Sequence, residues 1–168
     1  MANLPIKTTA TAFIFHNDRL LLIWHKKTGK LLPTGGHSEE NETIEETLIR
    51  EVKEETNLDV KFIEEFGYYK GKEHIQHNAG YMEVPKPFFI HKRNSSTGEF
   101  RRVNYDFLCV AEDINDLRIQ ESELDGYEWL SEYDVKNSDK LWEPIRILAL
   151  KAFEIYKKFK EDIEENKE

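Results

Sequence analysis

Hydrophobic and polar positions alternate weakly over residues 8–16, around Ala10, Ala12 and Ile14. After Asn17-Asp18 an apolar run resumes through Leu20, Leu21, Leu22, Ile23 and Trp24. Two such runs split by a pair of residues that tolerate left-handed backbone predict a β-hairpin. The segment 31–36, LLPTGG, reads as short and extended, ending in a Pro-Thr-Gly-Gly turn. Over 59–69, Val60, Phe62, Ile63, Phe66, Tyr68 and Tyr69 predict a strand that bends near Glu64-Glu65 or Gly67. Residues 85–91 and 100–111 predict two more strands, joined as a second hairpin across the turn-rich 94–98, and 127–130 predicts a short one. Helical period appears twice. Ile44, Leu48 and Val52 form one stripe between Thr43 and Asn57; Ile145, Leu148, Ala149, Ala152, Ile155, Tyr156 and Phe159 form another over 141–163, read as core packing with a fraying charged end at 161–168. A helical turn is expected at 131–135. Strands interrupted by one helix and closed by a longer one predict a single α/β domain over 1–168, a sandwich with a central mixed sheet between helices.

The first helix carries the chemistry. Thr43 is placed to cap its start, with Glu46 reaching back in a capping box, and Asn57 to take the left-handed position at its end. With Ile44 at 0° on the helical wheel, Glu51 falls at roughly −20° and Glu55 at roughly +20°, inside the apolar stripe, while Glu54 flanks them at about −80°. Burying unpaired carboxylates side by side costs several kcal/mol, so they require neutralisation or a cation. Carboxylates at i, i+3 and i+4 suit Mg²⁺, which keeps several waters and recruits phosphate oxygens from a substrate. An ordinary glutamate-rich surface helix would pair Glu46 with Arg50 and would leave Glu51 and Glu55 on the wrong face. Just upstream, Gly35 and Gly36 permit close approach of backbone to a ligand, and the Gly36 carbonyl is a further metal-ligand candidate.

The spaced residues Gly36, Glu42, Arg50, Glu51, Val52, Glu54, Glu55 and Leu58 resemble the box of the Nudix hydrolases, MutT-like enzymes. Asn57 stands where that family has Gly, and Thr34 is inserted into its commoner Pro-Gly-Gly. The resemblance implies the Nudix α/β/α sandwich and hydrolysis of a diphosphate bond in a nucleoside diphosphate linked to another group, with Mg²⁺ or Mn²⁺ as cofactor. A nucleoside triphosphate, ADP-ribose, a nucleotide sugar and a dinucleoside polyphosphate all fit, because loops outside the box read the base and the second group. Glu51 and Glu55 would be the principal metal ligands, Glu54 a further ligand or a water-holding group, Arg50 the residue that orients a neighbouring glutamate, and Glu42 a brace at the loop–helix junction. Similar sequences carry a glutamate ahead of a Trp-bearing strand; Glu123 is suitably spaced before Trp129, with Glu121 its competitor. Glu54 and Glu123 are the candidate general bases. A non-catalytic nucleotide-sensing Nudix domain is the alternative, although such domains often lose box carboxylates.

Composition narrows the partners. The chain has 168 residues, 39% hydrophobic and 34% charged, with 24 Lys+Arg against 33 Asp+Glu and a net charge of −9. That balance disfavours attraction to a nucleic-acid polymer and leaves a small nucleotide, held by local cations and a metal, as the expected partner. No stretch approaches ~20 apolar residues, and the N-terminus has no basic start and apolar run, so no membrane partner and a cytoplasmic location are expected. A homodimer stays open. Cys109, the only cysteine, lies in an apolar run and reads as a small core residue rather than a nucleophile. His37 is read as a solvated turn residue or a phosphate contact, as are His25, Lys26, Lys27 and Lys30. His74 and His77 share a polar loop over 70–81 but lack the helix or cysteines of a zinc motif.

Overall fold

An eleven-residue strand, β1 (Ile6–His16), is the axis on which the sheet is assembled in the computed structural model, which describes residues 4–64, 67, 68, 84–95 and 97–165. On one edge β1 pairs antiparallel with β2 (Arg19–His25) at its C-terminal end and with β4 (Thr34–His37) further back. On the other edge it runs parallel to β8 (Arg101–Val110), from Ile6 opposite Arg101 to Phe15 opposite Val110. β3 (Lys30–Leu32) and β9 (Leu124–Leu130) both join β2, whereas β5 (Lys61–Glu64) and β7 (Phe89–Asn94) join β8 antiparallel. The result is a mixed sheet, as the hydrophobic pattern predicts. Asn17 and Asp18 both take positive φ, 47° and 61°, so the predicted hairpin turn is there.

Four sequence expectations change in detail. The segment 59–69 does not bend as one strand: β5 pairs antiparallel with β6 (Gly67–Tyr68), so the chain reverses. The extended 31–36 resolves into β3 and β4 with Pro33 between them, a residue that has no N–H to give a continuing ladder. The strand expected over 85–91 begins only at Phe89, and the last one begins at Leu124 rather than at Tyr127. Of the charged tail, residues 161–165 are helical and 166–168 lie outside the described residues. His74, His77 and their loop lie outside the described residues.

Alternation along the strands fills two cores. Phe13, Phe15, Leu20, Leu22 and Leu108 point to one side and meet Ala149, Ala152, Phe153, Tyr156 and Phe159 of α3 (Glu143–Glu165). Ala10, Ala12, Ile14, Leu21, Phe107 and Cys109 point to the other and meet Leu48 and Val52 of α1 (Ile44–Thr56). Both faces being covered is why Leu20, Leu21, Leu22 and Ile23 are all fully buried, and why β2 reads as a continuous apolar run. Each such side chain contributes roughly 1.5–3 kcal/mol on leaving water. Phe15 stacks on Tyr156 with centroids 4.2 Å apart, fixing α3 over the strand. Cys109 is fully buried and its thiol is pushed far up by burial, which suits a core residue and not a nucleophile. The turn expected at 131–135 is a short helix, α2 (Glu132–Asn137), capped by Ser131.

Local chemistry sets the ends of α1. Thr43 accepts from the Glu46 N–H at 3.4 Å while Glu46 accepts from the Thr43 N–H at 2.9 Å, the expected capping box. Asn57 is left-handed at φ 58°, its N–H donating to the Lys53 carbonyl, and its side chain adds a 3.0 Å bond to the Asp116 carbonyl. Asn57→Gly should therefore be close to neutral in thermal unfolding, since the easier backbone offsets the lost bond. Asn57→Val should lower stability by ~1 kcal/mol or more. Equal melting temperatures for the two variants would move the helix end elsewhere.

Candidate active site

The two stripe glutamates of α1 lie beneath the glycines of β4, where the helix packs against the start of the sheet. Gly36 faces α1, and a Cβ there would collide with the Glu51 carboxylate; at Gly35, φ is 145° and a Cβ would strike the β1 backbone at Ala10. Only glycine lets strand and helix approach this closely. The Gly35 N–H donates to Glu55 Oε2 at 3.0 Å. Glu55 is 7% exposed and the Glu51 side chain 16%, whereas Glu54, at 52%, opens to solvent. The wheel placed Glu51 and Glu55 inward, and the helix does so.

Arg50 organises three carboxylates. Its Nε lies 2.6 Å from Glu42 Oε1, its Nη1 2.9 Å from Glu51 Oε1 and 3.3 Å from Glu54 Oε2, and its Nη2 donates to the His37 carbonyl at 2.9 Å. Glu42 in turn accepts from the Glu39 N–H and the Thr47 hydroxyl, tying the loop to the helix. These bonds, Arg50 first, hold the Glu42 carboxyl down to about 2, and push the Arg50 guanidinium further up. Arg50 does not turn to Glu46, which is committed to the cap.

Among the described residues no cation pairs with Glu55. Burial raises its carboxyl to about 8 against the Gly35 bond, and the charges of Glu51, Glu123 and Glu54 add to the rise. Glu51 is raised too, by burial first, although Arg50 works against it. A buried and a half-buried carboxyl, both destabilised in their charged form under a glycine backbone, suit a hard divalent ion. Among the described residues no three acidic, His or Cys side chains converge into a ready metal cage. A carboxylate pair of this kind fits a hard divalent ion that completes its shell with water and phosphate oxygens.

The acidic loop ahead of Trp129 reaches the same place. The Arg118 and Gln120 N–H groups donate to the Thr56 and Glu55 carbonyls, and the Glu123 carbonyl accepts from the Lys26 N–H. The stitching brings the exposed Glu123 carboxylate within electrostatic reach of Glu55. Glu121 is also exposed; its backbone carbonyl accepts from Lys26 Nζ. His37 ends β4 with its ring 5.9 Å from Phe100, and Lys30 donates to the Asp139 carbonyl.

Sequence reasoning missed the polar residues inside β8. Asn104 and Asp106 interrupt an apolar run on the face away from α1, beside Thr9 and Thr11. Asp106, 1% exposed, accepts from Asn104 through Oδ1, while Oδ2 lies 3.3 Å from His91 Nε2 without hydrogen-bond geometry. Burial raises Asp106 to about 7 and lowers His91, so the pair favours its uncharged forms. Polar residues at every second position of a buried strand were the available signal.

A NUDIX domain model matches residues 5–151. A NUDIX-family hydrolase from Clostridium perfringens superposes with a TM-score of 0.73 at 28% identity, covering 89% of this chain and 97% of that one. A MutT NUDIX hydrolase from Burkholderia pseudomallei gives a TM-score of 0.59 at 18% identity, covering 89% and 96%. A bifunctional NMN adenylyltransferase/ADP ribose pyrophosphatase from Francisella tularensis, complexed with AMP and a Mn ion, gives 0.63 at 19% identity, covering 92% of this chain and 43% of that one. Comparison with curated protein sequences gives no significant match. The glycine-roofed glutamates and the domain match across most of the chain lead to one conclusion: this protein belongs to the Nudix family.

Proposed function

We propose that the protein hydrolyses a diphosphate bond in a nucleoside diphosphate linked to a further group, with Mg²⁺ or Mn²⁺. The observation that carries this reading is the pair of inward carboxylates, buried Glu55 and half-buried Glu51, held beneath Gly35 and Gly36, with Arg50 the one cation paired to either among the described residues. Glu51 and Glu55 would hold the cation, with Glu54 and the Gly36 carbonyl as further donors. When bound, such an ion offsets charge on phosphate oxygens and makes water a better nucleophile. Arg50 fixes the Glu51 rotamer through one bond and is itself fixed by Glu42, so the ligand geometry is set before substrate arrives. The test is a panel of nucleoside triphosphates, ADP-ribose, nucleotide sugars and dinucleoside polyphosphates with Mg²⁺. Hydrolysis of none would overturn the reading in favour of a nucleotide-sensing domain.

Glu123 is the favoured general base. Its side chain lies within electrostatic reach of Glu55 and makes no ion pair among the described residues, whereas Glu54 is engaged by Arg50. Glu123→Gln should lower kcat by about a hundredfold, the usual order for losing acid–base assistance, and Glu121→Gln less than a few-fold. Saturating Mg²⁺ and the best panel substrate give the comparison. If both variants keep full kcat, the role passes to Glu54.

A further inference from the structure

The sheet face turned away from α1 ends in a line of like charge that the chemistry at Glu51 and Glu55 leaves unused. Lys7 of β1 lies opposite Arg102 of β8, and Arg102 lies opposite Arg93 of β7. Like charges directly opposite one another in a sheet are destabilising. The chain has 33 acidic residues against 24 Lys+Arg, yet none of these three cations makes an ion pair among the described residues. Some other cations are matched, as Lys53 is with Asp59 at 3.0 Å and Lys157 with Glu132 at 2.6 Å.

Arg102 is more than a surface fringe. Its Nε is buried with no hydrogen-bond partner, and its guanidinium carbon lies 5.8 Å from the Phe100 ring centroid, over which Lys7 Nζ sits at 4.7 Å. A buried guanidinium N–H lacking an acceptor is destabilising unless a ligand supplies one. His37 packs on the same Phe100 ring and follows Gly36 in β4, which connects this row to the glycine backbone at the glutamates. Gly36 lies opposite Ala10, three residues along β1 from Lys7, a separation of roughly 10 Å at the strand rise. Among the described residues β4 pairs with β1 alone, and its outer edge lies between the glutamate side and the cationic side.

We infer that Arg102, Lys7 and Arg93 bind a phosphoryl group of the substrate lying outside the scissile diphosphate. This rests on the hydrolase reading above and narrows it: the substrate carries phosphate beyond the bond being cut, either at the end of a longer polyphosphate or as a phosphomonoester on the nucleoside. Nucleotides whose second group is a neutral sugar leave the row unfilled. Planar guanidinium forks suit phosphate oxygens, and the two arginines with one lysine supply the matching charge.

The experiment has one arm without turnover and one with it. In chelator at low salt, the full chain should bind inorganic tripolyphosphate by titration calorimetry, and Arg102→Gln should weaken that binding about tenfold or more, as expected for a lost charge-assisted bond. In Mg²⁺, Arg102→Gln should raise KM about tenfold for a nucleoside triphosphate or for a 3′-phosphorylated nucleotide substrate, whichever source is the natural one, with kcat within about twofold, and should leave ADP-ribose unaffected. The melting temperature should stay equal or rise, because the substitution relieves cross-strand repulsion. Unchanged tripolyphosphate affinity, an equal KM penalty on ADP-ribose, or a fall of several degrees in melting temperature would each overturn the inference. Tripolyphosphate binding that Arg102→Gln abolishes, in a protein that hydrolyses nothing, would keep this site and remove the hydrolase reading. Glu55-dependent hydrolysis indifferent to Arg102 would do the reverse.

Discussion

Glu55→Gln and Glu51→Gln should each lower turnover by orders of magnitude while the fold survives. Gln keeps the shape of the side chain and an acceptor for the Gly35 N–H or for Arg50, so the contacts at 3.0 Å and 2.9 Å can persist. What it loses is the negative charge that would hold a divalent cation. Ion binding and water activation together supply several kcal/mol, and each ~1.4 kcal/mol is tenfold in rate. Melting temperature in chelator should be equal or higher in both variants, since a buried carboxylate without a cation is replaced by a neutral amide. The measurement is kcat with Mg²⁺ beside a melting curve without it. Full activity of the double variant in chelator would dismiss the metal site.

The second large effect is a stability that falls as pH rises from 6.5 to 8 in metal-free buffer. Asp106 is raised from an ordinary 3.8 to about 7 by burial, so the folded chain holds this proton more tightly than the unfolded chain does. Where the native state binds more protons, stability declines with increasing pH, and the decline ends above the folded value. Protonation also removes the charge from Oδ2, the buried oxygen that has no hydrogen-bond partner. Glu55, raised to about 8, adds a component of the same sign. His91 is lowered by burial and then by Arg93, so it acts in the opposite sense below its ordinary 6.5, which confines the clear window to higher pH. Asp106→Asn should remove most of Asp106's share and melt higher than the parent at pH 8; adding Glu55→Gln should flatten the profile. A double variant with the parent's slope would assign the pH dependence to other groups.

The carboxylate chemistry was legible because helical period is strict. Once Ile44, Leu48 and Val52 define the buried stripe, Glu51 and Glu55 have nowhere else to go, and Arg50 with Glu42 follows from the spacing of the box. The ends of α1 were legible for a similar reason, since caps are local. The cationic row was not. Lys7, Arg93 and Arg102 are separated by long stretches of chain, and only the parallel register of β1 with β8 and the antiparallel register of β7 with β8 place them side by side. Nothing within any one strand reveals a neighbour's register. The reversal between β5 and β6 was missed because a bent strand and a tight hairpin share the same apolar positions. Glu123 lies between these cases: its distance from Trp129 could be counted, but the bonds from Arg118 and Gln120 to the end of α1 that bring it to Glu55 belong to tertiary structure.

The pairing of β1 with β8 also bears on how the protein is made. Ile6 meets Arg101, and the contacts along this ladder join positions about 95 residues apart. Closing so long a loop carries a large entropic cost before any contact repays it, and folds dominated by such distant pairings form slowly. The seat of α1 includes Phe107 and Cys109, which leave the ribosome well after the helix does. Until they arrive, Leu48 and Val52 have only part of their packing surface. A nascent chain stalled before β8 should therefore remain protease-sensitive through α1, and protection of that helix should appear in one step when β8 has emerged.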